Sequence, residues 1–111
     1  MVKLDSSRLN LEMEQYETSI NRSYYAVFHV ANALLVKKGI RTKTHSGTIS
    51  EFGKQYVNLD NFEKEIFNIF PNLEEIREDV DYDVFNTVNE IKADKSLEKA
   101  EIFIGECRRF L

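Results

Sequence analysis

The chain has no tryptophan, one cysteine, one proline and four glycines among its 111 residues. A single cysteine, Cys107, rules out a disulfide within one chain and offers no cysteine spacing for a zinc site, so a reducing, cytoplasmic setting is expected. With so few glycines and prolines there is little to interrupt helices rich in Leu, Ile, Glu and Lys. Long apolar runs are missing too. The most apolar stretch, 24–36, is shorter than a membrane span and contains His29 and Asn32, so no membrane association is expected. The opening MVKLDSSRLN has no apolar core of a secretion signal. An excess of positive charge is also absent. Lys and Arg number 15 against 19 Asp and Glu, a formal net charge of −4, which does not suit a surface basic throughout, as for nucleic acid.

What is present is the composition of an ordinary globular domain, 42% hydrophobic and 31% charged, and the length suits one domain over 1–111. Helical spacing dominates. A short first helix is expected over about Leu4 to Met13. A second runs from near Glu17 to just before Gly39, with Tyr16, Ile20, Tyr24, Val27, Phe28, Ala31, Leu34 and Leu35 recurring at three and four. KKGIRTKTHSG reads as a loop. A third helix follows over about Ser46 to Val57, with Thr44, Ser46 or Thr48 as its cap. A fourth begins after NLDN, is broken or kinked at Pro71, and resumes through Leu73, Ile76, Val80 and Val84. The last spans about Lys95 to Phe110, with Leu97, Ala100, Phe103, Ile104, Cys107 and Phe110 on one face. The predicted architecture is all-α, an up-and-down antiparallel bundle of four to five helices. The second helix is apolar on nearly every side, which predicts a central position and a homodimer covering its outer face.

Within that apolar helix, Arg22 and His29 stand seven residues apart, close to two turns, and so share a face. An arginine can grip a phosphate through two parallel hydrogen bonds, and a histidine can move a proton near neutral pH, so the pair suits metal-independent phosphodiester cleavage. The same residues also suit plain structural roles. Lys37, Lys38, Arg41, Lys43 and His45 form a basic stretch fit to contact RNA phosphates, or, for His45, to cap the next helix. Glu74, Glu75, Glu78, Asp79, Asp81 and Asp83 form an acidic one around Arg77. There Arg77 can be the counter-charge of Asp81 or Glu74. The carboxylates lack a complete ligand set, so neither a metal nor a cofactor is expected, and a charge run of this kind usually faces solvent. Cys107 lies among apolar residues and reads as packing.

YETSINRSYYAVFHVANALLVKKG, then KTHSG, then REDVDYDV, then SLEKAEIFIGECRRFL occur in that order. This ordered set resembles the HEPN domain family, in a branch with an Arg-x-Tyr-Tyr-Ala helix and a later Arg…Asp-Tyr element. The resemblance covers nearly all the chain from Tyr16 onward, with a first helix that looks shortened. It implies a dimeric helical bundle, a metal-independent ribonuclease with an arginine followed after four to six residues by a histidine, and a toxin paired with a small nucleotidyltransferase antitoxin. Arg22 and His29, with six residues between them, fit that spacing. The family's catalytic element usually lies later, where Arg77 is followed after four residues by Tyr82. Arg77, Asp81 and Tyr82 are therefore an alternative site, although a tyrosine with a pKa near 10 is a poor base at neutral pH. A non-catalytic dimeric module that binds a nucleotidyltransferase partner or a nucleotide is the other reading of the same residues.

Overall fold

The computed structural model describes residues 2–82 and 89–111, with side chains over 12–79 and 89–111. Helix α1 (Val2–Lys37) is followed by α2 (His45–Phe52), which continues as a wider π-helical stretch (Gly53–Asn58). Then come the single turn α3 (Lys64–Phe67), α4 (Ile69–Tyr82) and α5 (Glu90–Cys107), which closes in a tight turn (Arg108–Phe110). The described residues contain no strand. The two expected N-terminal helices are one helix of 36 residues, about 54 Å long. Between Met13 and Glu17 stand only Glu14, Gln15 and Tyr16, none of which breaks a helix.

The ends of the elements follow local chemistry. Gly39, at φ 80, closes α1: its N–H reaches Val36 O at 2.8 Å, and the N–H of Ile40 reaches Leu35 O at 2.9 Å. That pair of bonds is the glycine-terminated stop in which the left-handed residue costs a non-glycine dearly. Asn89 caps α5, accepting from the N–H of Lys92 at 2.8 Å, so α5 starts five residues before the Lys95 predicted by apolar spacing alone. The break between α3 and α4 falls at Asn68 rather than Pro71. Pro71 sits in the first turn of α4, where its missing N–H costs nothing. Val84, expected to extend this helix, lies outside the described residues.

The contacts give each helix a direction. Lys99 at α5 bonds Asn72 of α4, while Ile76 and Ala93 meet at the other end beside Ile20. Lys37, at the end of α1, reaches Phe110 beyond α5. So α1, α4 and α5 alternate in direction, as an up-and-down bundle requires. Helix α2 departs from that order. His45, at its start, lies against Tyr24 and Phe28, and Tyr56, in the stretch that continues it, bonds the carbonyl of Leu34. It therefore runs parallel to α1, and the loop 38–44 travels back down the bundle to start it.

Tyr24, Val27, Leu34, Leu35, Phe52, Tyr56, Phe62, Phe70, Leu73 and Phe103 are buried in one core. Phe52 is its hub, stacked on Tyr56 at 4.9 Å and meeting Phe62, Phe67, Phe70 and Phe103. Cys107 is buried, as expected of a packing residue, and burial, with a smaller contribution from Glu106, pushes its thiol up to about 12. Such a thiol is not a thiolate at neutral pH and is chemically quiet.

Candidate functional site

Helix α1 divides lengthwise. Ile20, Tyr24, Val27, Ala31, Leu34 and Leu35 face the core. The opposite stripe carries Thr18, Arg22, His29, Ala33 and Val36, all exposed. Tyr25 and Ala26 are half-buried along it. Arg22 and His29 thus share the outer stripe, two turns and roughly 10 Å apart along the axis. Arg22 also borders a groove of about 700 Å³ between α1 and α5, walled by Ala26, Leu97, Ala100 and Ile104 and edged by Glu14, Gln15 and Glu101. Leu97, expected to face inward, is 48% exposed there.

A second constellation lies beside this stripe, where the loop returns. Thr44 caps α2, its hydroxyl accepting from the N–H of Gly47 at 2.9 Å. That fixes His45 as the first helical residue. Its Nδ1 is 2.6 Å from the hydroxyl of Tyr24 and 3.7 Å from Oε2 of Glu74 on α4. The imidazole stacks on Phe28, centroids 4.7 Å apart. Arg77, one turn along α4, donates to Oε1 of Glu74 at 2.8 Å and lies over the ring of Tyr24 at 5.0 Å and that of Tyr25 at 5.9 Å. The cap depends on Gly47, because a Cβ there would come within 2.8 Å of the Thr44 hydroxyl. Thr44→Ala should remove the cap and destabilise the domain by about 1 kcal/mol, measured by urea unfolding. An unchanged midpoint would show that the cap does not hold α2.

The electrostatics of this cluster are mutually consistent. Burial alone would raise the carboxyl of Glu74. The hydrogen bond from Arg77, followed by the interactions with Tyr24 and Glu78, outweighs it and holds the carboxyl below its ordinary value. The hydrogen bond to Glu74 raises the Arg77 guanidinium in turn. Burial, and then the neighbouring Glu74, push the Tyr24 hydroxyl far up. Glu78, exposed on the next turn, is raised by its hydrogen bond to Glu74. The result is an ionised Glu74, a fixed Arg77 and a neutral Tyr24.

The other candidate residues are dispersed. Lys37 donates to the carbonyl of Phe110, and Lys38 donates to that of Gln55, pairs with Asp60 at 2.8 Å and lies over Tyr56. Arg41 and Lys43 are exposed on the loop. Glu75, Glu78 and Asp79 form an exposed acidic face on α4. The side chains of Asp81 and Tyr82 lie outside the described residues. Among the described residues, no cluster of three metal-ligating side chains occurs, and no helix is long and apolar enough to cross a membrane. The chief feature that sequence reading missed is the bond from Tyr24 to His45. Tyr24 lies on the buried stripe and looks like core, and nothing in the order of residues brings the KTHSG loop back to it.

An all-helical fold built round one long central helix, with polar residues of three elements gathered at its middle, is the class that fold and site define. A profile of the HEPN domain family matches residues 2–110, and the chain belongs to that family. It is 29% identical to "Putative toxin MJ0142" of Methanocaldococcus jannaschii, over 97% of this chain and 74% of that protein. It is 30% identical to a UPF0332 protein of Thermotoga maritima, over 97% of this chain and 82% of that protein. A UPF0332 protein of Archaeoglobus fulgidus is 32% identical over 95% of this chain and 83% of that protein.

Proposed function

We propose that this chain is a toxin-like ribonuclease of the HEPN family, cleaving RNA without a metal through Arg22 and His29. The carrying observation is the contrast between the two arginines. Arg77 is 16% exposed, bonded to Glu74 and laid over Tyr24, so its guanidinium is spent inside the fold. Arg22 is exposed on the same stripe as His29. A guanidinium that binds a scissile phosphate must reach it, and removing Arg77 from Glu74 would leave a buried carboxylate uncompensated.

The chain acts as a homodimer in this reading. The outer stripe of α1 is small or apolar at Ala26, Ala33 and Val36, which suits the close approach of a second copy. An antiparallel pairing with its two-fold axis beside Tyr25 and Ala26 sets Arg22 of one protomer opposite His29 of its partner. Each phosphate then meets an arginine from one chain and a histidine from the other. A small nucleotidyltransferase acts as antitoxin, and the setting is cytoplasmic. The toxin designation of the Methanocaldococcus relative supports the biological role.

The experiment is RNA cleavage in the presence of a chelator by wild type, Arg22→Ala and His29→Ala. Wild type should cut, and each variant should lose about 10²-fold or more. Absence of cutting, or equal rates in all three, overturns the proposal. The groove between α1 and α5 favours a second reading: its apolar walls and the Arg22 rim suit a non-catalytic module that holds a nucleotidyltransferase partner or a nucleotide. Wild type that binds such a partner yet leaves RNA intact would support it.

A further inference from the structure

We propose that His45 is a second catalytic residue, forming with His29 an acid–base pair across the Tyr25–Phe28 platform. The inference rests on the ribonuclease reading above and adds a residue to it. The sequence has only two histidines, 16 positions apart, and the fold brings both to the same two rings. The Tyr25 ring is 6.1 Å from that of His29 and 5.9 Å from that of His45. The Phe28 ring is 5.8 Å from the first and 4.7 Å from the second.

Metal-free cleavage needs two proton transfers. The ribose 2′-hydroxyl gives its proton to a base as its oxygen bonds phosphorus. The bond from phosphorus to the 5′-oxygen then breaks, and an acid delivers a proton to that oxygen. The products are a 2′,3′-cyclic phosphate and a 5′-hydroxyl. One imidazole can take the first proton and later give it up, whereas two let a lone pair and a proton act at the same moment on the two oxygens. His29 and His45 supply both, and Arg22 supplies the positive charge for the phosphate.

His45 is held on one side and open on the other. Nδ1 is committed to Tyr24, which leaves Nε2, on the far edge of a side chain 39% exposed, to meet a ligand. A phenol both donates and accepts, so Tyr24 keeps its bond whether Nδ1 carries a proton or not. The Glu74 carboxylate, 3.7 Å away and held ionised by Arg77, stands ready to stabilise the imidazolium. A residue that merely opened α2 would need neither partner. The groups facing His45 are Tyr24, Tyr25 and Phe28 of α1 and Glu74 of α4, with Arg77 bonded to Glu74.

The test is His45→Asn in the full chain, since asparagine keeps a polar atom near the place of Nδ1 and removes Nε2. Rates are compared with those of wild type and His29→Ala over roughly pH 5 to 9, the span in which imidazoles titrate. The variant should stay folded, lose about 10²-fold in rate and lose one limb of a two-sided pH profile. A wild-type rate with both limbs intact overturns the assignment, while loss in His29→Ala and Arg22→Ala alone leaves the ribonuclease reading standing. No cleavage by wild type overturns both. Should His45→Asn fail to fold, imidazole nitrogen signals of wild type are followed on adding a 2′-deoxy oligonucleotide that cannot be cut. Shifts at both histidines support the pair, and a shift at His29 without one at His45 overturns it.

Discussion

Replacing Arg77 by methionine should destabilise the domain by about 3 kcal/mol, a fall in melting temperature of roughly 15 °C. The side chains of Arg77 and Glu74 are 16% and 15% exposed, so neither can be left to water when the other is removed. Methionine fills much of the arginine volume and keeps contact with Tyr24 and Tyr25, which isolates the loss of charge from the loss of packing. The pH dependence should also weaken. In wild type the folded Glu74 carboxyl lies below its ordinary 4.5, so the unfolded chain takes up the proton first. Its contribution is present above pH 4.5 and is lost as pH falls through the lowered value. In Arg77→Met the strongest influence lowering that carboxyl is gone and burial still raises it, so the loss of stability on acidification through that carboxyl should shrink. Adding Glu74→Leu should recover much of the loss, because replacing both partners removes the unpaired charge. Thermal unfolding of the three proteins at several pH values measures all of this. A loss under about 1 kcal/mol, or the same acid slope as wild type, would mean that the pair is a surface bridge of little weight.

That Arg77 pairs with Glu74 was within reach of the sequence, since the two stand three apart on a strongly patterned helix. So were the all-helical fold, the buried stripe of α1, the stop at Gly39 and the inert Cys107. Each of these depends on neighbours within a turn or two, where spacing carries the information. The family resemblance was legible because its motifs keep their order. What spacing does not encode is where a loop goes. Parallel packing of α2 on α1, and hence the meeting of His45 with Tyr24, arises because loop 38–44 retraces the bundle before Thr44 starts a new helix. His45 was legible as a cap or a phosphate contact, and its neighbours Glu74 and Phe28 were not. Capping bonds were equally hard to weigh: Asn89 starts α5 before the apolar pattern begins. The pairing of Lys38 with Asp60 likewise turns a lysine of the basic stretch into a strut under the π-helical segment.

The segment that holds His45 in place is itself anchored by one ring, and Phe52→Ala should show how firmly. Phe52 is fully buried at the last turn of α2 and meets five other rings. Truncation removes the transfer energy of the ring and leaves a void between helices that cannot close together, a loss of about 3–5 kcal/mol. Domains of this size are stable by about 5–15 kcal/mol in all, so the variant should be close to half unfolded in mild denaturant. Phe52→Leu keeps most of the volume and should lose about 1–1.5 kcal/mol. The damage should not be uniform. The helices α1, α4 and α5 keep their own contacts at Ile20, Ile76 and Ala93, far from the void. The stretch 45–58 depends on Phe52, Tyr56 and the lysine strut. Amide hydrogen exchange in Phe52→Ala should therefore quicken most over 45–58 and least near Ile20. The bond from Tyr24 to His45 opens with that segment, so any activity that needs His45 should fall before the bundle as a whole unfolds. Uniform quickening throughout the chain would instead show that α2 and the three long helices unfold as one unit, and the bundle would then have no independently stable frame on which His45 is mounted.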